Sequence, residues 1–314
     1  RYLLVAMVAS LFFLLGISLL YAELGVLDLE ALGAVMAPSR ITSVAVPLIF
    51  LGLAVKTALF PFHFWLPPAY GSAFAPVCAV LSGLAIKGPF FVLFRLLPGP
   101  FSSVVPAGVG GLIGALALGG ILWGSIRALQ QPRFKLLIAY SSVAQVGYLF
   151  LALALALADP SGPALRGGLF FALSHGVAKA AMFLAAGAII RSFGHDRIAE
   201  LHAPQRGSHL ATTAIALSAV SLMGFPVSGG FIGKWILGEA AAFADWPLAF
   251  AGIVIGGLLA AVYFFRVLRQ AFVPPDPGVR VVRAPAALEW PAFLLAAFSV
   301  ALGLASAPAL GLLP

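Results

Sequence analysis

Charged residues are scarce in this sequence. They make up 9% of its 314 residues, whereas hydrophobic residues make up 62%, and an average soluble domain has about 25% charged residues. So little polar surface excludes a soluble enzyme, a disordered chain and a nucleic-acid-binding protein, even though the formal net charge is +8. The composition is that of a polytopic membrane protein, in which excess Lys and Arg occupy cytoplasmic loops.

Cysteine is nearly absent as well. Cys78 is the only one, so a disulfide within the chain is excluded, and an iron–sulfur cluster has too few thiolate ligands. The sequence has no flavin or haem motif either. We therefore expect no cofactor on this chain, and any redox chemistry would belong to a partner.

Long apolar runs dominate the rest of the chain. A spanning helix needs about 20 mainly apolar residues, and nine segments meet this length. These segments are apolar on all faces and do not alternate apolar with polar residues, which favours helices over the strands of a β-barrel. Two spans contain breaks: Pro61 in the second, and Pro226 followed by Gly229 and Gly230 in the seventh. The predicted fold class is an all-α polytopic membrane protein with spans over roughly 2–22, 42–65, 73–97, 104–126, 136–158, 167–191, 209–238, 247–268 and 287–310.

The loop cations are distributed unevenly between the two sides of the membrane. When the nine spans are threaded in order, eleven loop cations fall on one side and three on the other, which is a positive-inside pattern. This predicts that the residue 1 end is cytoplasmic and that Pro314 is extracytoplasmic. The smaller group is Arg40, Arg95 and Arg166, and the larger is Arg1, Arg127, Arg133, Lys135, Arg191, Arg197, Arg206, Arg266, Arg269, Arg280 and Arg283.

Four of the five lysines fall inside predicted spans. A charged lysine at a helix centre costs about 2.5–3.5 kcal/mol on insertion scales, so these lysines indicate a hydrated interior. A buried lysine can give and take a proton near neutral pH, whereas arginine, with a pKa above about 12, cannot. His175 lies four residues before Lys179 and shares its helix face. The candidates for proton translocation are Lys56, Lys87, His175, Lys179 and Lys234.

Each broken helix carries one of these lysines, since Lys56 precedes Pro61 and Lys234 follows Pro226. Breaks expose backbone groups that are tolerated only inside protein or beside water, and transporters use them to bind ions. The breaks are five spans apart, and because five is odd, a five-helix repeat would be inverted. This predicts three regions: 1–98 as the last part of a first repeat, 99–275 as a second repeat, and 276–314 as a C-terminal loop and final helix.

Four motifs, in this order along the chain, resemble those of the antiporter-like membrane subunits of complex I and of Mrp-type cation/proton antiporters. Two of them match the family's broken helices, one its Ala-Tyr-Ser-Ser segment and one its His-x-x-x-Lys helix. They are residues 59–67 (LFPFHFWLP), 135–142 (KLLIAYSS) with Gln145, Gly147 and Tyr148, 174–180 (SHGVAKA), and 224–234 (GFPVSGGFIGK).

This resemblance implies roles for the candidates. Lys56 corresponds to the first-half lysine that exchanges protons with a glutamate, and Lys87 to the connecting lysine of the next helix. His175 and Lys179 correspond to the central relay, and Lys234 to the terminal lysine. The implied function is proton translocation in a multisubunit complex of a bacterial-type inner membrane, driven by a cation gradient or by electron transfer in an NADH-quinone oxidoreductase. The implied partners are other membrane subunits, lipid, protons and, in the antiporter form, sodium, with no nucleic acid.

The sequence departs from the family in one important place. The family's paired glutamate lies on a helix that would precede the first span, and none of the ten carboxylates here is in mid-span. About five N-terminal helices would then be missing, either because the chain is a fragment or because another chain supplies them. Lys87 favours the D, M or N type, since L- and A-type relatives usually have His there. Gln145 favours the Mrp D type, since complex I relatives more often have His.

Two other classes of function stay open. A self-contained secondary transporter would use the broken helices and the lysines to bind a small anionic substrate. A scaffold subunit would use the lysines only to bind lipid headgroups or partner chains. Mid-span lysines argue against the scaffold, because headgroups lie at the membrane surface.

Overall fold

The structure, a computed structural model, describes residues 2–275 and 281–313. Within these ranges the chain is helical, without a β-strand, and one isolated bridge pairs Arg133 with Arg197. The orientation prediction also used Arg1, Arg280 and Pro314, which lie outside the described residues. The predicted all-α polytopic architecture is confirmed.

Fourteen α-helices make up the described part of the chain, and short 3₁₀ or π turns join some of them. In chain order they are α1 (Tyr2–Leu24), α2 (Leu29–Val35), α3 (Thr42–Thr57), α4 (Leu66–Ser72), α5 (Ala75–Val80), α6 (Lys87–Leu96), α7 (Val109–Leu129), α8 (Phe134–Ala158), α9 (Ala164–Phe193), α10 (Gln205–Met223), α11 (Gly229–Phe243), α12 (Pro247–Leu268), α13 (Ala286–Leu304) and α14 (Ser306–Gly311).

Eight helical segments of the described chain are long and apolar enough to cross a bilayer, and they coincide with eight of the nine predicted spans. The remaining prediction, 209–238, is divided between α10 and α11. The last span ends at Leu304, earlier than predicted, and α14 follows it separately. The division into regions 1–98, 99–275 and 276–314 stays a prediction.

Helix α8 is the centre of the bundle, because nearly all of its side chains from Leu137 to Ala156 are buried. Small residues let its neighbours approach closely, as is common between membrane helices. A Cβ on Gly147 would lie 2.6 Å from the Ala117 carbonyl oxygen of α7, and one on Gly124 would lie 2.5 Å from the Ala144 nitrogen. Helix α1, in contrast, is apolar on every side and exposes most of its surface, as a lipid-facing helix does.

One end of the bundle collects the loops that carry most of the cations. Arg133 binds Asp196 at 3.0 Å, and Arg266 donates to the Leu129 carbonyl. Lys135, at the start of α8, donates to the Ala73 carbonyl just after α4. Helix α4 therefore ends at the face where α8 begins, and the Ala203–Gln270 backbone bond places the start of α10 at the end of α12. The broken helices α3/α4 and α10/α11 run in opposite directions, as an inverted repeat requires.

Candidate functional site

The first break lies between α3 and α4. Helix α3 ends at Thr57, and Ala58 adopts a left-handed backbone conformation with φ of 61°. The indole Nε1 of Trp65 donates at 2.8 Å to the Val55 carbonyl in the last turn of α3, which also accepts from Ala58 N at 3.1 Å. Residues 58–61 are therefore non-helical, as the sequence predicts around Pro61.

Lys56 lies in the last turn of α3, beside this break, and is half-buried. It lines a cavity of about 250 Å³ between α1, α3 and the region around Ile86. Within the described residues, no hydrogen bond of its ammonium group is found. Most of the cavity lining is apolar, and Lys56 is its only charged side chain, so Lys56 faces a space of its own beside the first break.

Lys87 is the first residue of α6 and follows a single π-helical turn, Leu81–Ala85. Such turns are rare and are frequently found at functional sites. The Lys87 ammonium donates to the Ser82 carbonyl inside this turn. The neighbouring helix approaches closely, since a Cβ on Gly176 would lie 3.6 Å from Lys87 Cε. Lys87 is thus half-buried next to the helix that carries His175.

Hydroxyl groups connect Lys87 with Lys179. Ser82 Oγ lies 3.3 Å from Ser142 Oγ, which in turn donates to the Ile138 carbonyl at 3.0 Å. The same carbonyl accepts from Lys179 Nζ at 3.0 Å, and Lys179 also donates to Ser141 Oγ. Lys179 is completely buried. The two serines of the KLLIAYSS motif therefore link the lysines of two different helices.

His175 lies one turn before Lys179 on α9, with 1% of its surface exposed. Its ring stacks on Phe171 with centroids 5.9 Å apart. Neither ring nitrogen has a hydrogen-bond partner among the described residues. A buried imidazole usually has such partners, so both ring nitrogens of His175 stay available for a further hydrogen bond.

The second break lies between α10 and α11. Helix α10 ends at Met223, Gly224 and Val227 have positive φ angles of 84° and 67°, and Ser228 caps α11 by accepting from Phe231 N. The predicted break near Pro226 is therefore present. The prediction that Gly229 and Gly230 belong to the break is wrong, because they are the first residues of α11.

Close packing explains why these two positions are glycine. A Cβ on Gly229 would lie 2.7 Å from Ser174 Oγ, and one on Gly230 would overlap the Ser221 carbonyl oxygen. The glycines thus let α11 approach α9 and α10, instead of bending the chain.

The ammonium group of Lys234, a residue of α11, lies at the C-terminal end of α10. Its Nζ donates to the carbonyls of Leu222 at 2.9 Å and Met223 at 3.2 Å, and lies 4.5 Å from the centre of the Tyr148 ring. The free carbonyls at a helix C-terminus and the face of an aromatic ring both attract a cation. A cavity of about 520 Å³ opens beside Lys234, with Glu239 at its lining. Lys234 is 6% exposed.

Lys179 and Lys234 are joined by a second polar bridge. Gln145 Nε2 donates at 3.1 Å to the Leu222 carbonyl, which also accepts from Lys234. The Gln145 side chain and Ser141, the partner of Lys179, both face the Tyr263 hydroxyl. The structure therefore brings Lys87, His175, Lys179 and Lys234 into one polar core. Lys56 stands apart at its own cavity.

The connecting groups were not identified as site residues from the sequence. Serine, glutamine and tyrosine are common inside helices, so only their spacing from the lysines in three dimensions reveals Ser82, Ser141, Ser142, Gln145 and Tyr263. The KLLIAYSS motif and Gln145 are the only features of the sequence that point to these connecting groups. Among the described residues, no group of three or more His, Cys, Asp or Glu side chains could hold a metal ion.

Residues 1–260 match the family described as "NADH:quinone oxidoreductase/Mrp antiporter, TM". The chain is 36% identical over 312 residues to NADH-quinone oxidoreductase subunit N of Desulforudis audaxviator, a match that covers 94% of this chain and 60% of that protein. It is 33% identical to subunit N of Methylococcus capsulatus, covering 91% of this chain and 59% of that one. The chain thus spans about three fifths of the length of these curated relatives.

Solved structures show the same architecture. A chain of the Mrp complex from Dietzia sp. DQ12-45-1b superposes with a TM-score of 0.88 at 27% identity, covering 98% of this chain and 65% of that chain. A chain of respiratory complex I from Thermus thermophilus gives a TM-score of 0.79 at 26% identity, covering 99% and 67%.

The curated relatives named above are subunits N, one of the types that Lys87 left open. They give no support to the preference for the Mrp D type that rested on Gln145, which stays a prediction. The family match extends over residues 1–260 and includes every candidate from Lys56 to Lys234. The chain therefore belongs to the NADH:quinone oxidoreductase/Mrp antiporter transmembrane family.

Proposed function

We propose that this chain is a proton-translocating subunit of a multisubunit membrane complex. The observation that carries the proposal is the nearly continuous line of polar groups from Lys87 through Ser82, Ser142 and Lys179 to Lys234. Three of its links, at Ser82, Ile138 and Leu222, are backbone carbonyls, which accept hydrogen bonds but do not pass a proton on. Water beside these carbonyls would carry the proton between the amines and hydroxyls of the line.

The lysines are suited to this task because carbonyls and hydroxyls, not carboxylates, hold them. Among the described residues, no carboxylate forms an ion pair with Lys87, Lys179 or Lys234. An ammonium without a counter-ion can give up its proton without leaving an uncompensated anion behind. Neighbouring charged lysines also repel each other, so the arrival of a proton at one site favours its release from the next.

Lys56 joins this path through water. Its cavity is lined by Leu81 and Ile86, the residues that flank Ser82 and Lys87. We place Lys56 as a site that exchanges protons with the Lys87 end of the line through water in this cavity.

The driving reaction lies on other subunits. We place the chain in a bacterial-type inner membrane with the arginine-rich end of the bundle towards the cytoplasm. Its partners are further membrane subunits that couple proton movement to a cation gradient or to electron transfer, and no cofactor is bound to this chain. The subunit N and Mrp relatives support both forms of coupling.

The anion-transporter alternative is less well supported by the geometry. An anion would find at most one free N–H on each of Lys179 and Lys234, because each already gives two of its three ammonium hydrogens to protein acceptors. The scaffold alternative conflicts with the complete burial of Lys179, which no lipid headgroup reaches.

Substitution of Lys179 by Met tests the proposal, because Met keeps most of the side-chain volume and removes the titratable group. In the assembled complex in proteoliposomes, a pH-sensitive dye should show that Lys179→Met lowers proton flux by roughly 100-fold or more. Lys135→Met is the matched control, since Lys135 also donates to a backbone carbonyl but lies in the first turn of α8, at the end of the bundle. Normal flux in Lys179→Met, or an equal loss in both variants, would reject the proposal.

A further inference from the structure

Two buried polar atoms lie unpaired between Lys179 and Lys234. They are Tyr263 Oη and Gln145 Oε1, and neither has a hydrogen-bond partner among the described residues. Both residues are fully buried. Leaving a buried polar group unpaired costs about 1–3 kcal/mol. Two such groups next to each other therefore indicate a site for an ordered water.

The surroundings fix how Gln145 is oriented. A backbone carbonyl can only accept, so the end of the carboxamide that meets the Leu222 carbonyl at 3.1 Å is the NH₂ group. The oxygen of Gln145 is therefore the end left free. Tyr263 comes from a different helix, α12, and Gln145 and Ser141 are the side chains near enough to interact with its hydroxyl, although neither forms a hydrogen bond of good geometry with it.

The Tyr263 hydroxyl has one polar neighbour on the side of Lys179 and another on the side of Lys234. On one side is Ser141 Oγ, which Lys179 Nζ contacts. On the other is Gln145, which shares the Leu222 carbonyl with Lys234. A hydroxyl can accept one proton while it donates another, whereas an amide can do so only poorly.

Resting on the function proposed above, we infer that the Tyr263 hydroxyl carries the proton between Lys179 and Lys234, and that Gln145 is a positioning residue that orients a bridging water. The Lys179 ammonium passes a proton, directly or through Ser141, to Tyr263 Oη. Tyr263 gives its own hydroxyl proton to a water held by Gln145 Oε1, and that water protonates the neutral amine of Lys234. Lys179 ends neutral, Lys234 ends charged, and Tyr263 is again a neutral hydroxyl.

Tyr263→Phe removes only the hydroxyl and tests this inference. The matched control is Ser125→Ala, which also removes only a buried hydroxyl that has no hydrogen-bond partner among the described residues, but on α7, which carries none of the site residues. In proteoliposomes of the complete complex, Tyr263→Phe should lower proton flux at least about tenfold, and Ser125→Ala should leave it near wild type. The flux that remains in Tyr263→Phe should show a larger solvent deuterium isotope effect than wild type, which a purely structural change would not produce.

The outcomes separate this inference from the broader proposal. Normal flux in Tyr263→Phe, with flux lost in Lys179→Met, would overturn the role of Tyr263 and leave the lysine relay standing. Normal flux in Lys179→Met would remove the relay itself. An equal loss in Tyr263→Phe and Ser125→Ala, with an unchanged isotope effect, would assign the loss to packing and overturn the inference.

Discussion

Gly230 shows how the size of a single residue decides where Lys234 lies. Its N–H donates to Ser221 Oγ at 3.3 Å, and its α-carbon faces the Ser221 carbonyl directly. Any side chain would push α11 away from α10. Lys234, four residues later on α11, would then lose its two carbonyl partners.

We therefore expect Gly230→Ala to destabilise the protein and to lower its proton flux. The cost should lie in the range of about 1–3 kcal/mol typical of overpacking, and a lower midpoint of thermal unfolding in detergent would measure it. Gly111→Ala is the control, because nothing lies within 4 Å of a Cβ at that position of α7 and Ala is the better helix former by about 1 kcal/mol. Equal midpoints for the two variants would contradict the packing account.

At the scale of elements, each of the two broken helices is held by a cation or an N–H donor at its carbonyl end. Trp65 donates to Val55 at the end of α3, and Lys234 donates to Leu222 and Met223 at the end of α10. Both breaks also contain a non-glycine residue with positive φ, Ala58 in one and Val227 in the other. Such conformations persist only where the surrounding structure holds them.

Trp65→Phe should therefore weaken the first break, because the Val55 carbonyl would keep only the Ala58 N–H as a donor. We expect a loss of about 1 kcal/mol in the free energy of unfolding, the typical net contribution of one hydrogen bond, measured by denaturant titration in micelles. Trp235→Phe provides the comparison, since the Trp235 indole also donates, to Glu239, but is 59% exposed. It should cost less than about 1 kcal/mol. A smaller loss in Trp65→Phe than in Trp235→Phe would refute this reading of the break.

At the scale of the whole molecule, the bundle has two chemically different ends. At one end, Arg133, Lys135 and Arg266 donate hydrogen bonds to a carboxylate and to backbone carbonyls. The loop between α8 and α9, with Ser161, lies at the other. The cation-rich end is the one to which the sequence assigns most of the loop cations. By the positive-inside rule, this end is predicted to face the cytoplasm.

Single cysteines test that orientation. In a Cys78→Ala background, Gln130→Cys marks the arginine-rich end and Ser161→Cys marks the opposite end, and both positions are exposed. A membrane-impermeant thiol reagent added to right-side-out vesicles should label Ser161→Cys and leave Gln130→Cys unlabelled until the vesicles are opened. The reverse pattern would show that the molecule has the opposite orientation.

Most of the architecture follows from the sequence, because membrane spans need long apolar runs and lysines inside them need a polar interior. The sequence placed Lys56, Lys87, Lys179 and Lys234 in mid-span and located both breaks. It misjudged Gly229 and Gly230, since glycine serves equally well for bending a chain and for close packing. It also gave no role to Ser82 or Tyr263, because a contact between residues far apart in sequence depends on how the helices pack.

The central claim, that a buried lysine must both take up and release protons, is tested most directly at Lys234. Lys234→Arg keeps the positive charge, and the adjoining cavity of about 520 Å³ has room for the longer side chain. Arginine does not release its proton, because its pKa is above about 12. Proton flux in proteoliposomes of the full complex should therefore fall as far in Lys234→Arg as in Lys234→Ala, by roughly 100-fold. Near-normal flux in Lys234→Arg would contradict the account, because it would show that Lys234 contributes only a fixed charge.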